Sequence, residues 1–274
     1  MSFVLSPGFY GAMLLCYGIG LGLFYVDYLK DNRIASRFGV AMLCVVWLME
    51  TAFLGVMISQ EHLLPFFSSA QVTIFFSWLL IAVSIVVNYL SRIDYFTFFM
   101  NILGFLFVAF ATVAHGQPLN VSFGQGDLLL LHIGVAFLSY IAFTLSSIFS
   151  ILYLLADSAL RSKRFQSGPF RRLPPLQRLD LYAYRSAVVG LPLWLIGMIL
   201  GSVWYALVSG YILILDPKPL YAVALAIMYG IYLYTRSTGR LSGSRAAWWN
   251  LICFLAVVLS FFVIGQFTSQ IHRW

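Results

Sequence analysis

The sequence predicts an all-α polytopic membrane bundle of about eight transmembrane helices, with both termini on the non-cytoplasmic face. Three observations predict it. The chain is 62% hydrophobic and 9% charged over 274 residues, with mean hydropathy +0.93, whereas about a quarter of the residues of soluble domains are charged. Apolar segments long enough to cross a hydrocarbon layer of about 30 Å recur along the chain, separated by short polar connectors. Basic residues, which favour the cytoplasmic side, cluster in alternate connectors.

Span one, residues 8–28, is preceded by seven residues with no basic side chain, so it is expected to be a retained insertion signal and not a cleaved leader. Span two, residues 38–58, carries Glu50, a carboxylate near mid-span. Burying that charge is costly, so Glu50 is expected to face the bundle interior. Its open readings are a proton relay, a contact to a cofactor substituent, or a structural hydrogen bond to a Tyr, Ser or Thr. Spans three and four, residues 70–90 and 95–114, flank a connector with Arg92. Span five, residues 128–156, follows Asp127, expected as a helix cap or first-turn anion.

The fifth connector, residues 157–185, holds seven basic residues together with Pro169, Pro174 and Pro175, which interrupt any continuous helix. A basic cytoplasmic segment of this kind anchors lipid headgroups or docks a cytosolic partner or acidic substrate. Spans six, seven and eight follow at residues 186–209, 220–235 and 247–268. Connectors one, three, five and seven hold all the basic residues except Lys218 and Arg273. The net charge of +7 is thereby accounted for by topology and anionic lipid, and nucleic acid is not an expected partner. With no internal repeat and no long linker, residues 1–274 are expected to form a single transmembrane domain.

Cys16, Cys44 and Cys253 lie inside spans, with no Cys-x-x-Cys pair, and read as small apolar residues. The four histidines, His62, His115, His132 and His272, all fall at or near the outer ends of spans. Neutral imidazoles brought together there can ligate a haem iron from both faces or coordinate a transition metal, and otherwise are unrelated interfacial residues. A dedicated zinc or copper site usually recruits cysteine or several carboxylates; Glu61 and Asp127 are the acids nearby. The sequence contains no Gly-x-Ser-x-Gly, no phosphate-cradling Gly-x-x-x-x-Gly-Lys and no His-Glu-x-x-His, so a hydrolase or ATPase has no support.

From span five onward a string of motifs stands out. It begins with Leu131-His132-Ile133, Leu138-Ser139-Tyr140, Leu152-Tyr153-Leu154-Leu155, Leu173-Pro174-Pro175-Leu176-Gln177-Arg178-Leu179-Asp180 and Tyr184-Arg185. It continues through Gly190-Leu191-Pro192-Leu193-Trp194, Gly197-Met198-Ile199-Leu200-Gly201-Ser202-Val203-Trp204, Asp216-Pro217-Lys218 and Ile231-Tyr232-Leu233-Tyr234-Thr235-Arg236. In order and spacing this half of the chain resembles the haem-handling cytochrome c assembly family, which includes the CcsA and CcmC proteins and a HemX branch associated with tetrapyrrole synthesis.

The resemblance implies a bacterial cytoplasmic (inner) membrane protein that binds b-type haem. His132 and His272 match the positions of the family's outer-face axial ligands to the haem iron, and His62 with His115 form a further pair that could ligate a second haem. Two departures bear on function. The family's tryptophan-rich loop is reduced to Leu213-Ile214-Leu215-Asp216-Pro217-Lys218-Pro219, which leans away from a complete cytochrome c synthase and toward the HemX branch. Tyr234 stands where CcsA-like sequences carry an inner histidine.

Three functions follow as expectations. The first is a non-enzymatic haem-binding protein in haem handling, regulation of tetrapyrrole synthesis or cytochrome c assembly, with a cytosolic tetrapyrrole-synthesis enzyme or an assembly component as partner. The second is a haem-lyase component or quinone-linked haem redox protein. The third is a transporter or scaffold with incidental histidines.

Overall fold

The computed structural model describes residues 7–30, 32–61, 69–91, 94–113, 126–162, 173–210 and 217–260. They form eight helices in chain order: α1 (Pro7–Lys30), α2 (Arg33–Glu61), α3 (Ser69–Ser91), α4 (Asp94–Val113), α5 (Gly126–Arg161), α6 (Leu176–Ser209), α7 (Pro217–Ser237) and α8 (Gly243–Leu259). No strand occurs among the described residues. An all-helical backbone satisfies its own hydrogen bonds, which a lipid environment demands.

Five of the eight, α1, α2, α3, α5 and α6, are long and apolar enough to cross a membrane. Shorter apolar helices lie at Phe96–Thr112 in α4 and at Gly243–Leu259 in α8; the rest of the expected eighth span lies outside the described residues. Helix α7 falls in neither group. Its 21 residues include Tyr221, Tyr229, Tyr232 and Tyr234 between a Pro-Lys-Pro start and Arg236, and these dilute its apolar character.

Helices α5 and α6 outrun their apolar cores. At 36 and 34 residues they extend about 50 Å, beyond a hydrocarbon layer of about 30 Å. The basic stretch expected at 157–185 is therefore helical up to Arg161 and again from Leu176, so these helices carry Arg161, Arg178 and Arg185 past the apolar stretch.

The chain divides into two compact units, residues 1–119 with 159–174, and residues 120–158 with 175–274. In the first, α1, α2 and α4 each bury one face with steps of three and four residues, the spacing of a helix face, and α3 buries a wider one. On α2 that stripe is Leu43, Val46, Glu50, Phe53 and Met57. Glycines let the helices close up: a Cβ at Gly39 would stand only 3.0 Å from the Phe24 ring.

In the second unit, α5 and α6 run antiparallel and are joined by a ladder of side-chain to main-chain bonds. His132 Nδ1 lies 2.7 Å from the Gly197 carbonyl oxygen, Ser139 Oγ donates to Gly190 O at 3.2 Å, and Ser146 Oγ donates to Ala183 O at 2.7 Å. Successive rungs are seven residues apart on both helices, the repeat of a coiled-coil seam. Facing the ladder, Gly201, Gly197 and Gly190 receive His132, Ala136 and Phe143, the small-residue packing that lets membrane helices approach.

Helix α7 joins through Trp194 Nε1, which donates to Ala222 O at 3.0 Å, and through Tyr229 stacked on Phe143 with centroids 3.9 Å apart. Helix α8 joins through Asn250, whose amide nitrogen bonds Ser146 O, Ser146 Oγ and Ser150 Oγ at 2.7–3.0 Å.

Candidate functional site

His132 sits in the second turn of α5, and its ring position follows from α6. The ring lies over Gly201 so closely that a Cβ there would stand 2.6 Å from Cε1 and 2.8 Å from Nδ1. Its Nδ1 meets the Gly197 carbonyl, four residues earlier on the same face of α6. A carbonyl oxygen can only accept, so this bond requires the proton on Nδ1. In the neutral imidazole the lone pair is then on Nε2, the arrangement in which a backbone carbonyl orients a metal-ligating histidine. The pair Gly197 and Gly201 thus supplies both space and tautomer. Although both stood in the motif string, their contribution to His132 was legible only once the two helices were registered.

His62, His115 and His272 lie outside the described residues, as do residues 213–216 of the shortened loop. Among the described residues no three His, Cys, Asp or Glu side chains converge as a metal-binding group.

Glu50 is fully buried in the α1–α4 unit, as its mid-span position implied. Its carboxyl lies beside the Ser77 hydroxyl and the Tyr17 phenol. Ser77 is the hydrogen-bonding group within reach of the carboxyl, but no bond of good geometry reaches either carboxyl oxygen or Ser77 Oγ among the described residues. Tyr17 Oη instead donates to Asn101 Oδ1 at 2.9 Å, and Asn101 Nδ2 bonds Ser84 Oγ and Thr97 O at 2.8 Å each. The Tyr17 hydroxyl fits because residue 104 is glycine: a Cβ there would collide with it and stand 3.4 Å from Ser77 Oγ.

At the end of the second unit away from His132, two motif strings that are 56 residues apart meet. Arg236 Nη2 donates to Asp180 Oδ2, Arg236 Nη1 donates to Leu241 O at 3.3 Å, and the guanidinium lies 5.9 Å from the Tyr184 ring centroid. Nearby, Ser244 Oγ donates to Asp157 Oδ2 at 2.7 Å, joining α8 to α5. Gly239 at φ +71° makes the turn that Arg236 fastens. Nothing in the sequence singled out this pairing. Tyr234 is 59% exposed.

The cysteines are free: Cys44 is exposed, Cys16 half-buried and Cys253 buried.

Comparison with known proteins extends the likeness beyond the C-terminal half. The family described as cytochrome C assembly protein matches residues 66–272. Protein HemX of Brevibacillus brevis is 33% identical over 267 residues, 97% of each chain. Protein HemX of Bacillus subtilis (strain 168) is 32% identical over 262 residues, 94% of each chain. Cytochrome c biogenesis protein CcsA of Guillardia theta is 24% identical over 286 residues, covering 95% of this chain and 91% of that one. With a family match over most of the sequence and a relative aligned along 97% of both chains, the chain belongs to the cytochrome c assembly protein family.

Proposed function

We propose that this chain is a haem-binding membrane protein of the HemX/CcsA type. In this reading it holds b-type haem at the outer face through His132 and His272 and acts in haem handling, in regulation of tetrapyrrole synthesis or in cytochrome c assembly. The observation that carries it is the bond between His132 Nδ1 and the Gly197 carbonyl, which leaves Nε2 as the ligating nitrogen. That donor chemistry fits a haem iron, which takes neutral imidazole as an axial ligand. His272 supplies the opposite ligand, and His62 with His115 a second haem. A bound haem contributes a low-spin iron whose spectrum reports its axial ligands.

The same reading sets both termini on the non-cytoplasmic face of a bacterial cytoplasmic membrane. It is supported by the basic residues of the second unit, since Arg178, Arg185, Arg236, Arg240 and Arg245 lie at or near the helix ends opposite His132. The basic segment between α5 and α6 is then available to a cytosolic partner, a tetrapyrrole-synthesis enzyme or an assembly component.

The test is an absorption spectrum, oxidised and reduced, of protein purified in detergent, with haem quantified per chain. A low-spin spectrum lost in His132→Ala and in His272→Ala supports the reading, and a stoichiometry near two brings in His62 and His115. Wild-type protein that takes up no haem even on reconstitution overturns it.

A further inference from the structure

The Glu50 cluster is continued toward the α3–α4 connector by a set of buried polar residues. They are Ser84 on α3 and Asn101 and Thr97 on α4, each fully buried among apolar neighbours such as Ile81 and Met100. Toward the other ends of the same helices Phe53 and Met57 on α2 and Val108 and Ala111 on α4 are buried and apolar, while α3 carries Ile74 beside the buried Thr73 and Gln71, whose Nε2 donates to Met57 Sδ at 3.2 Å. Hydrogen bonds run along the polar set, from Tyr17 Oη to Asn101 and from Asn101 to Ser84 Oγ, with Ser84 Oγ donating in turn to Ile81 O at 2.8 Å.

Four oxygens here make no hydrogen bond of good geometry among the described residues: both of Glu50, Ser77 Oγ and Thr97 Oγ1. Leaving polar atoms bare in a buried site is costly, more so for a charged group. Such atoms are ordinarily satisfied by internal water with two to four polar partners.

We propose that Glu50 is a proton-exchanging carboxyl served by internal water, reached by a polar path from the α3–α4 connector along Thr97, Asn101 and Ser84. The carboxyl gives its proton to a water held against Ser77 and Tyr17, and the proton leaves along water lodged between Asn101, Ser84 and Thr97. Return of a proton by the same route restores the acid. Tyr17 is the one titratable side chain facing Glu50 among the described residues; α3 and α4 present Ser77 and Gly104 there.

A bound metal cation fits less well. Sites for such ions in membrane helices draw carbonyl oxygens from broken turns, and α1 to α4 are unbroken among the described residues. The inference stands independently of haem binding.

Infrared difference spectroscopy on the detergent-purified full chain tests it. The expected result is a protonated-carboxyl C=O band at neutral pH that shifts on transfer to D2O and is absent in Glu50→Gln. In Ser84→Ala/Thr97→Val the band persists, but its exchange slows about tenfold, as ~1.4 kcal/mol of added barrier would produce. Wild-type protein lacking a band assignable to Glu50, a band that does not shift in D2O, or exchange at the wild-type rate in the double variant would each overturn the proposal.

Discussion

The imidazole of His132 occupies the space that a side chain on Gly201 would need, with a Cβ there standing 2.6 Å from ring carbon Cε1. Helix α6 therefore specifies where the ring can be, while Gly197 specifies how it is turned. Gly201→Ala is expected to push the ring off its carbonyl and to cost about 1–3 kcal/mol by overpacking. Thermal unfolding in detergent checks the stability. If His132 ligates haem as proposed, a haem spectrum altered in Gly201→Ala, with His132 still present, distinguishes misplaced ligation from lost ligand.

The bonds between α5 and its neighbours are worth unequal amounts. Ser139→Ala is expected to lower stability by about 0.6 kcal/mol, the average for hydrogen bonds between membrane helices. Asn250→Leu, which removes three contacts in a fully buried place, is expected to cost about 2 kcal/mol. Unfolding in mixed micelles, compared between the two variants, reads the difference. Equal effects would mean that the Asn250 contacts carry no more weight than a single bond.

Asp180 and Arg236 are partly buried, at 27% and 17% side-chain exposure. Removal of either partner leaves the other charge poorly satisfied and is expected to cost about 2 kcal/mol. In a double-mutant cycle, Asp180→Asn with Arg236→Gln should lose clearly less than the sum of the single variants. Arg236→Lys is expected to recover only part of the stability, because an ammonium cannot hold Asp180 and Leu241 O in one planar fork.

Gly104→Ala is expected to displace the Tyr17 hydroxyl from Asn101 and to destabilise the α1–α4 unit by about 1–3 kcal/mol. Tyr17→Phe in the same background should return part of that loss, since the colliding oxygen is gone. Chemical or thermal denaturation of both variants checks the compensation.

Much of the fold was legible because a membrane leaves a helix few choices. All eight helices overlap the eight apolar segments, and Glu50 is buried as its mid-span charge required. Helix ends were less legible. Once backbone bonding continues past the hydrocarbon, nothing in hydropathy marks where α5 or α6 stops, and both carry on through charged residues to Arg161 and from Leu176. Long-range pairs were hidden for a different reason. Asp180 and Arg236 stood in separate motif strings, and no periodicity links residues on different helices. The same holds for Gly201, whose significance is the ring of a residue 69 positions earlier. Of the four histidines, only His132 is within the described residues.

The seven-residue ladder between α5 and α6 also makes depth a discrete quantity. A seam of this repeat can in principle slide by one whole period, about 10 Å of rise, and re-form its serine bonds on new carbonyls. Sliding one period either way would bring the His132 ring against Val208 or Trp194 instead of Gly201. Neither offers room, so the glycine acts as a detent. The imidazole has one permitted height along α6, and a partner at the membrane surface would always meet it at the same level.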